Sequence, residues 1–353
     1  MIYGANGYAG RQLVKEARKQ GLSPIIAGRN GQEITALALE TGLSCKVFDL
    51  RKDAITNYLQ DIKLFVNCAG PFSATMKPCL LACAKTHTHY IDVSGELRSL
   101  EYIFRNQEQW ENAGISVVPA AGFDATPGDC LAAFLKTKLP DATSLKIGIK
   151  INGTKPSIGT LNSLIESIAI GGRIRVNNHL RKVANAWKTK LIPFSHQPSL
   201  CVSMPLAELS SIWHSTRIPN IEVYLAVKSK ELRYLKMSRF LRPLLYFPPI
   251  LNWSKKQIPI FASPPNPQVQ QQGSAVIWGE ARNAAGESLS LRMLTEEAYL
   301  FTSKTVLMAI KTVLQGKVSP GAHSPSTAMG AHKILNLDTV TIEDIIPPPA
   351  TPF

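Results

Sequence analysis

The sequence predicts an α/β protein in which a doubly wound parallel sheet is followed by a second, α+β domain with a mixed or antiparallel sheet. Three observations support this prediction. A glycine-rich turn occupies residues 4–10. Short apolar runs then alternate with amphipathic stretches up to about residue 125, which is typical of parallel strands joined by helices. Beyond that point paired strand-like runs separated by tight turns indicate hairpins.

The first domain is predicted over residues 1–125, because a length of 353 residues allows two domains. Its strands are expected near residues 1–3, 24–28, 45–48, 63–68, 89–93 and 115–119. Its helices are expected near residues 8–20, 31–41, 53–60, 75–86 and 97–113. Only three residues precede the glycine turn, whereas a strand usually has about five. We therefore expect either a short first strand or a chain that has lost residues there.

The second domain is predicted over residues 126–317, with residues 318–353 packing back on the first domain. The expected helices lie at 129–138, 159–170, 297–315 and 326–335, and the expected strands at 144–152 and 220–227. Hairpins are expected at 173–184, turning at Asn177-Asn178, and at 274–294. The segment 317–330 is rich in Ser, Pro, Gly and Ala and is interpreted as a linker. The prolines at 347–349 predict a loose tail.

The composition describes an ordinary globular protein, with 45% hydrophobic and 18% charged residues. Six scattered cysteines without a Cys-x-x-Cys pair favour reduced thiols, and hence a cytoplasmic protein without disulfides. No apolar run reaches the roughly 18 residues needed to span a bilayer. We see no pattern typical of a secretory signal.

The glycine turn predicts a dinucleotide site. Three glycines, Gly4, Gly7 and Gly10, precede an amphipathic helix, so the backbone can approach a pyrophosphate that the helix N-terminus would hold. Alone such a triplet is weak evidence, but here a helix and a second apolar strand follow it. That strand ends at Arg29, where an acidic residue would bind a ribose 2′-hydroxyl and an arginine suits a 2′-phosphate. The sequence therefore predicts NADP(H) rather than NAD(H).

Further cofactor contacts are expected at the carboxyl ends of the strands, where parallel sheets bind ligands. Asp49 is predicted either to meet the adenine amino group or to cap the following helix. Tyr8 is interpreted as a wall over the cofactor. The complete set of cofactor-binding candidates is Gly4, Asn6, Gly7, Tyr8, Ala9, Gly10, Arg29, Asp49, Cys68, Ala69, Gly70, Pro71, Phe72, Ser94 and Gly95.

Two aspartates are the catalytic candidates. Asp92 ends the fifth strand, where a carboxylate could relay a proton beside hydride transfer. Asp124 stands where the domains join, and it either orients the substrate or caps the helix after Pro127. Ser94 and Glu96 are expected to cap the helix that starts near Leu97. The chain has no Tyr-x-x-x-Lys pair placed as in short-chain dehydrogenases.

No metal site is expected. His87 and His89 form a His-x-His pattern, but a metal site needs a third ligand, and none is evident in the sequence. These histidines are interpreted as solvated or capping residues.

Half of the net charge of +14 lies in residues 228–256, which hold eight Lys or Arg and one acid. Leucines and aromatic residues are interleaved with these cations. Three interpretations remain open: a helix packed on the core with a solvated basic face, a surface that contacts an anionic membrane, and a lid or a docking site for an acidic carrier protein. Nucleic acid is not an expected partner, because no known binding motif accompanies the basic residues.

Several of these turns, taken together, resemble the saccharopine dehydrogenase-like oxidoreductases, and in particular the branch that includes trans-acting enoyl reductases of complex lipid synthesis. The resemblance rests on the segments 4–10, 27–29, 67–72, 90–96, 121–129, 214–224 and 326–330. It implies an NADP-binding Rossmann domain joined to an α/β domain, with a cleft between them. Two positions depart from the family pattern, Arg217 and the run Ala125–Asp129.

The sequence thus predicts an NADP(H)-dependent oxidoreductase that acts on an enoyl or carbonyl group of a small, lipid-like substrate. One alternative is a saccharopine-type amino-acid dehydrogenase, although the second domain shows no clear arginine pair for substrate carboxylates. Another is a non-catalytic NADP-binding module attached to a membrane or a partner. We expect a cytoplasmic location, peripheral at the inner face of a membrane if the basic segment binds lipid. A homo-oligomer remains open.

Overall fold

The computed structural model describes residues 1–153, 156–245, 247, 249–251, 253–254 and 272–345. Lys255 and Lys256 of the basic segment, and the prolines at 347–349 of the expected loose tail, lie outside the described residues. Within the described part, no helix is long and apolar enough to cross a membrane.

A seven-stranded parallel sheet forms the first domain. Its strands are β1 (Ile2–Tyr3), β2 (Ile26–Gly28), β3 (Cys45–Val47), β4 (Leu64–Asn67), β5 (His89–Asp92), β6 (Ser116–Val118) and β15 (Gly321–Ala322). Their order is β15-β6-β5-β4-β1-β2-β3. The order of the first six is that of dinucleotide-binding sheets, in which the direction of winding reverses between β1 and β4. The predicted doubly wound parallel sheet is confirmed.

The helices of this domain lie close to their predicted positions. They are α1 (Tyr8–Lys19), α2 (Gly31–Thr41), α3 (Ile55–Leu59), α4 (Phe72–Lys85), α5 (Leu97–Arg105) and α6 (Gln107–Asn112). One predicted helix, 97–113, is divided at Asn106 into α5 and α6.

A second, mixed sheet follows. Its strands are β7 (Ser144–Asn152), β8 (Arg173–Val176), β9 (His179–Lys182), β10 (Thr189–Ile192), β11 (Ser199–Ser203), β12 (Asn220–Ala226), β13 (Ser274–Arg282), β14 (Ser288–Glu296) and β16 (Val340–Asp344). The main order is β10-β11-β12-β7-β13-β14-β16, with only β12 and β7 parallel along that path. The predicted mixed sheet is therefore confirmed, and both predicted hairpins are present.

The described helices that follow in the chain are α7 (Thr126–Lys138), α8 (Ile158–Ile170), α9 (Glu208–Thr216), α10 (Ser229–Leu245), α11 (Ala298–Leu314), α12 (Pro325–Met329) and α13 (Ala331–Leu335). Helix α11 packs against α1 and β5 of the first sheet as well as β14 of the second. One hydrophobic cluster accordingly runs from Ile2 and Leu13 through Phe123 to Ile147 and Phe301. This shared core holds the two sheets together.

The linker prediction for residues 317–330 is wrong. Gly321–Ala322 adds a strand to the first sheet by pairing with β6, and Pro325–Met329 is helical. The next strand, Val340–Asp344, pairs with β14 of the second sheet. The C-terminal part of the described chain therefore contributes to both sheets, and the domain boundaries stay a prediction.

Arg217 occupies a backbone conformation that favours glycine. It is the C-cap of α9 with φ of 56°, in the left-handed region, and its guanidinium lies 4.5 Å from the ring centroid of Trp213. A helix C-terminus commonly uses glycine there because glycine has no Cβ. The stacking on Trp213 offsets part of the strain.

Candidate functional site

The predicted site residues lie in turns at the carboxyl ends of the strands of the first sheet, the edge at which such sheets bind ligands. The turn after β1 carries the three glycines of the predicted motif. Gly4 has φ of +78°, and a Cβ on it would be 2.9 Å from the backbone nitrogen of Ala69. A Cβ on Gly10 would be 2.2 Å from the carbonyl oxygen of Gly4. Glycine is therefore required at both positions for α1 to start this close to the sheet.

The N-terminus of α1 is open to an anion. Gly7 caps it without any side-chain hydrogen bond, and its first turn contains no acidic residue. The main-chain amides and the positive end of the helix dipole thus lie at the edge of the sheet, and the first turn of α1 supplies no carboxylate to neutralise them. This arrangement fits a pyrophosphate.

The neighbouring N-terminus of α4 is already occupied. The carboxylate of Glu96 accepts hydrogen bonds from the amides of Phe72 at 2.9 Å and Ser73 at 2.6 Å. The prediction that Glu96 caps α5 is wrong in this respect, since it makes no capping bond to the main chain of α5. Of these two helix ends, only that of α1 is free of a side-chain cap.

Arg29 is exposed directly after β2 and makes no hydrogen bond or ion pair within the described part of the chain. The nearby carboxylate of Glu33 is held by two amides, from Asn6 at 2.8 Å and Asn30 at 2.8 Å. The guanidinium of Arg29 is therefore available to bind an anion. It lies at the end of β2, where the 2′-phosphate of the adenosine ribose is expected.

Hydrogen bonds from two side chains, Asn67 and Thr75, hold the β4–α4 loop in place. Asn67 is fully buried, and its side-chain oxygen accepts from the amide of Ala69 at 3.0 Å. Thr75 donates to the carbonyl oxygen of Ala69 at 2.7 Å. The loop then passes through a cis Gly70-Pro71 bond into α4. Burial raises the pKa of the Cys68 thiol to about 12, so this thiol stays protonated at neutral pH.

Asp49 forms a local turn at the end of the third strand. Its Oδ1 accepts from the amide of Arg51 at 3.0 Å. The next helix does not begin until Ile55, so this carboxylate caps a turn rather than a helix. Its contact with adenine stays a prediction.

Asp92 is fully buried and its oxygens are engaged by the protein. Its Oδ1 accepts from the amides of Ser94 at 3.0 Å and Ala120 at 2.8 Å. Its Oδ2 accepts from the hydroxyl of Tyr90 at 2.9 Å. These bonds tie the end of β5 to the loop after β6. We therefore interpret Asp92 as a residue that positions both turns, rather than as the proton relay expected from the sequence.

Ser94 and Gly95 complete this turn. The hydroxyl of Ser94 accepts from the amide of Glu96 at 3.2 Å, which fixes the path of the loop. A Cβ on Gly95 would be 2.8 Å from Oδ2 of Asp124. Glycine at 95 therefore lets the carboxylate of Asp124 lie against the backbone of the neighbouring turn.

Asp124 is the carboxylate best placed for chemistry. It is exposed at the carboxyl edge of the sheet and makes no hydrogen bond within the described residues. Desolvation by the protein atoms near its carboxyl group raises the pKa of Asp124 to about 6. A carboxyl group with this pKa exchanges protons near neutral pH. The alternative that Asp124 caps the following helix is not what the structure shows, because α7 begins after Ala125 without a side-chain cap.

Two tyrosines from different domains meet beside the glycine turn. The rings of Tyr8 on α1 and Tyr299 on α11 are 4.6 Å apart and nearly perpendicular. The hydroxyl of Tyr299 accepts from the amide of Ser157 at 2.8 Å and lies 3.0 Å from the hydroxyl of Thr160. Burial raises the pKa of Tyr299, and the charge of Asp124 adds to the shift. These contacts join the turn after β1 to α8 and α11.

A second set of contacts between the first domain and α8 involves two glutamates. Glu96 also accepts from the hydroxyl of Ser163 on α8 at 3.1 Å, and Ser73 donates to Glu166 of the same helix at 3.1 Å. The pKa of Glu96 is raised to about 7, first by burial and then by the charge of Glu166. The turn after β5 is thereby linked to the second domain.

Two buried acids were missed by the sequence analysis. Asp129 accepts from the hydroxyl of Ser215 at 2.6 Å and from the amide of Ser326 at 2.7 Å, and so joins α7, α9 and α12. Glu208 is buried against Gly128, and its Oε2 has no hydrogen-bond partner among the described residues. Burial raises its pKa well above the ordinary value, with smaller contributions from Asp124 and Asp129. Nothing local in the sequence distinguishes either acid from a solvated charge near a helix start.

The two histidines have local partners. Nδ1 of His89 accepts from the amide of Ser116 at 3.0 Å, and Nδ1 of His87 lies 3.0 Å from the carbonyl oxygen of Ala113. Within the described residues, no group of three or more His, Cys, Asp or Glu side chains is placed to hold a metal ion.

Comparison with known proteins agrees with this geometry. Residues 1–118 match the family model of the saccharopine dehydrogenase NADP binding domain. A saccharopine dehydrogenase-like oxidoreductase of Bos taurus is 22% identical over 70% of this chain and 62% of its own length. A protein of Mycobacterium tuberculosis provisionally named trans-acting enoyl reductase is 31% identical over 36% of this chain and 33% of its own.

A solved structure shares the fold across nearly the whole chain. Apo saccharopine dehydrogenase (L-Glu forming) of Saccharomyces cerevisiae superposes with a TM-score of 0.66 at 12% identity, covering 98% of this chain and 99% of that one. At this identity the match shows the fold alone. The chain spans between about a third and three fifths of the length of the curated relatives named above. Residues 1–118 thus form an NADP-binding domain, and the chain is similar to saccharopine dehydrogenase-like proteins.

Proposed function

We propose that this protein is an NADP(H)-dependent oxidoreductase that reduces an enoyl or carbonyl group of a lipid-like substrate in the cleft between the two sheets. The observation that carries the proposal is the exposed carboxyl group of Asp124, which lies against the backbone of Gly95 in the turn after β5 and has its pKa raised to about 6. Curated relatives named oxidoreductases support the reaction class.

The residues of the chain fit the cofactor. The open N-terminus of α1 would hold the pyrophosphate, the close approach at Gly4 and Gly10 makes room for it, and Arg29 would hold the 2′-phosphate. Bound NADPH would supply a hydride to the electron-poor carbon of the substrate. Reduction also needs a proton, at the α-carbon of an enoyl group or the oxygen of a carbonyl group. In this proposal, Asp124 in its protonated form would donate that proton.

The side chains around the proposed cleft favour a substrate that does not carry several carboxylates. The contacts described for Glu96, Asp124, Tyr299 and Asp92 involve amides, hydroxyls, aromatic rings and other carboxylates, and no Lys or Arg within the described residues. A saccharopine-type amino acid would bring further carboxylates next to Glu96, whose pKa is already raised by burial and then by the charge of Glu166. An uncharged enoyl or carbonyl substrate avoids this repulsion.

The test is turnover of NADPH by the purified protein with a panel of enoyl and carbonyl lipids, followed by the absorbance of the reduced nicotinamide. Oxidation of NADPH that requires an enoyl or carbonyl lipid supports the proposal. Turnover only with an amino acid would favour the dehydrogenase alternative. Tight NADPH binding without turnover of any substrate would favour a non-catalytic module.

A further inference from the structure

Helix α10 presents an outward face on which cations and large apolar side chains alternate. The face consists of Lys230, Arg233, Tyr234, Lys236, Met237 and Phe240, all of them exposed. Phe240 is 84% exposed, Tyr234 59% and Met237 52%. Glu231 lies off this face, and its carboxylate accepts from the amide of Lys228 at 2.9 Å. The outward face therefore carries three positive charges and no negative one.

The other side of α10 is anchored to the domain, so the outward face cannot turn into the core. Leu232 and Leu235 pack with Val202 and Met204. The guanidinium of Arg239 donates to the carbonyl oxygens of Asn185 and Ala186, each at 2.6 Å. The helix thus has one side that stabilises the fold and a second side that the fold does not use.

Exposed apolar side chains are concentrated here. Of the twelve large hydrophobic side chains that are exposed in the described residues, five lie between positions 234 and 253, and they include Phe247 at 58% and Trp253 at 63%. Single exposed hydrophobic residues are common on protein surfaces, but a cluster marks a binding surface. Four of the five are aromatic, the type enriched where one end of a side chain is apolar and the other is in water.

We propose that the outward face of α10 docks on an anionic lipid bilayer. Lys230, Arg233 and Lys236 would contact the headgroups, while Tyr234 and Phe240 enter the interface between headgroups and acyl chains. Such a helix lies in the plane of the membrane, with binding strength set by apolar area and by attraction to anionic lipid. An acidic protein would match the charges equally well but gives no reason for the exposed aromatic residues between them.

The surface is one helix away from the cleft. The side-chain nitrogen of Asn185 donates to Ser238 of α10 at 3.0 Å and to the carbonyl oxygen of Ile168 of α8 at 3.0 Å. Helix α8 in turn carries Ser163 and Glu166, which contact the turns of the first domain. Docking would thus bring the proposed substrate cleft near the lipid phase. This consequence rests on the proposed function, whereas the docking proposal does not.

The experiment is sedimentation of the full chain with phosphatidylcholine vesicles, with and without phosphatidylserine. We compare the wild type with the triple variant Lys230→Glu, Arg233→Glu, Lys236→Glu. The matched control is Lys52→Glu, Lys63→Glu, Lys317→Glu, which changes three exposed lysines elsewhere and lowers the formal charge equally. A third variant, Met237→Ala with Phe240→Ala, removes apolar area without changing charge. Circular dichroism and NADPH binding report the fold of each variant.

We expect binding only to vesicles with phosphatidylserine. Raising the ionic strength from about 0.01 M to about 1 M shortens the Debye length from about 30 Å to about 3 Å and should release the protein. The α10 charge variant should lose at least ~100-fold in partitioning, since each of the three cations near an anionic surface contributes about fivefold. The control triple should bind clearly more tightly than the α10 triple, and the apolar variant should bind weakly even at low salt.

Several outcomes would overturn the proposal. Equal binding to neutral vesicles, no binding at all, or an equal loss in the two charge variants would each do so. Binding to a purified acidic carrier protein without binding to vesicles would assign the face to a protein partner. Self-association that is lost in the apolar variant, again without vesicle binding, would assign it to a second copy. Because these readouts do not involve turnover, their failure is distinguishable from failure of the proposed function.

Discussion

Replacing Arg29 by alanine removes the guanidinium expected to bind the 2′-phosphate of NADP(H). Arg29 is exposed and makes no hydrogen bond or ion pair within the described residues, so its loss should leave the fold unchanged. A hydrogen bond to a charged group contributes about 1.5–3 kcal/mol, and every 1.4 kcal/mol is a factor of ten in Kd. We therefore expect Arg29→Ala to weaken NADPH binding by about 10- to 100-fold.

The same substitution should leave NADH binding unchanged, because NADH has no 2′-phosphate. The assay is a titration followed by nicotinamide fluorescence, with Arg18→Ala as the control, since Arg18 is an exposed arginine on the far end of α1. Arg29→Lys should recover part of the affinity, as a lysine keeps the charge but not the planar guanidinium. An equal loss for NADPH and NADH, or no loss for NADPH, would refute the reasoning.

Three further predictions concern the turns and the cleft. Gly10→Ala should lower the free energy of unfolding by about 1–3 kcal/mol and weaken the binding of NADPH and NADH alike, because the added Cβ would lie 2.2 Å from a carbonyl oxygen of the turn. Urea unfolding and the same fluorescence titration check this. Asp124→Asn should lower kcat by about 100-fold with little change in the Kd for NADPH, and wild-type reduction should slow as the pH rises through about 6, because only the protonated carboxyl group donates a proton. The fold raises the pKa of Glu96 from 4.5 to about 7, so the folded protein holds a proton that the unfolded chain releases. The free energy of unfolding should therefore fall as the pH rises from about 4.5 through about 7, by at most about 3 kcal/mol for this group. Urea unfolding at pH 5 and pH 8 measures this fall, and Glu166→Gln should make it smaller.

Each of these predictions has a matched control. Gly31→Ala adds a Cβ at an ordinary 3.5 Å from its nearest neighbour, so it should leave the stability unchanged or raise it, and a loss as large as that of Gly10→Ala would contradict the clash argument. Asp61→Asn changes an exposed aspartate outside the cleft, and the pH profile should not respond to it. A stability that rises between pH 5 and pH 8 in the wild type but not in Glu96→Gln would contradict the sign assigned to Glu96.

The local order of the first domain could be predicted from the sequence because its signals are local. Apolar residues repeat with a period of two in strands and about 3.6 in helices, and the glycines at 4, 7 and 10 mark a turn regardless of the rest of the chain. The bounds of β7, of the β8–β9 hairpin and of α2 follow from the same patterns. Strands β10 and β16 were missed because they are short and carry polar or exposed side chains. The first pairs with the next strand, β11, and the second pairs with β14, about 45 residues earlier in the chain.

What the tertiary structure decided is which distant groups meet. Glu96 precedes α5 in the chain but caps α4, because β4 and β5 are neighbours and bring their following turns together. Asp129 joins Ser215 and Ser326, which lie 86 and 197 residues away along the chain. The pKa of Asp124 follows from the protein that surrounds it rather than from its neighbours in sequence. The sequence by itself determined most helices and strands of the first domain and the cofactor turn, since these depend on local periodicity and on the backbone freedom of glycine. Hydrogen-bond partners, burial and pKa values depend on long-range packing, and only the tertiary structure decided them.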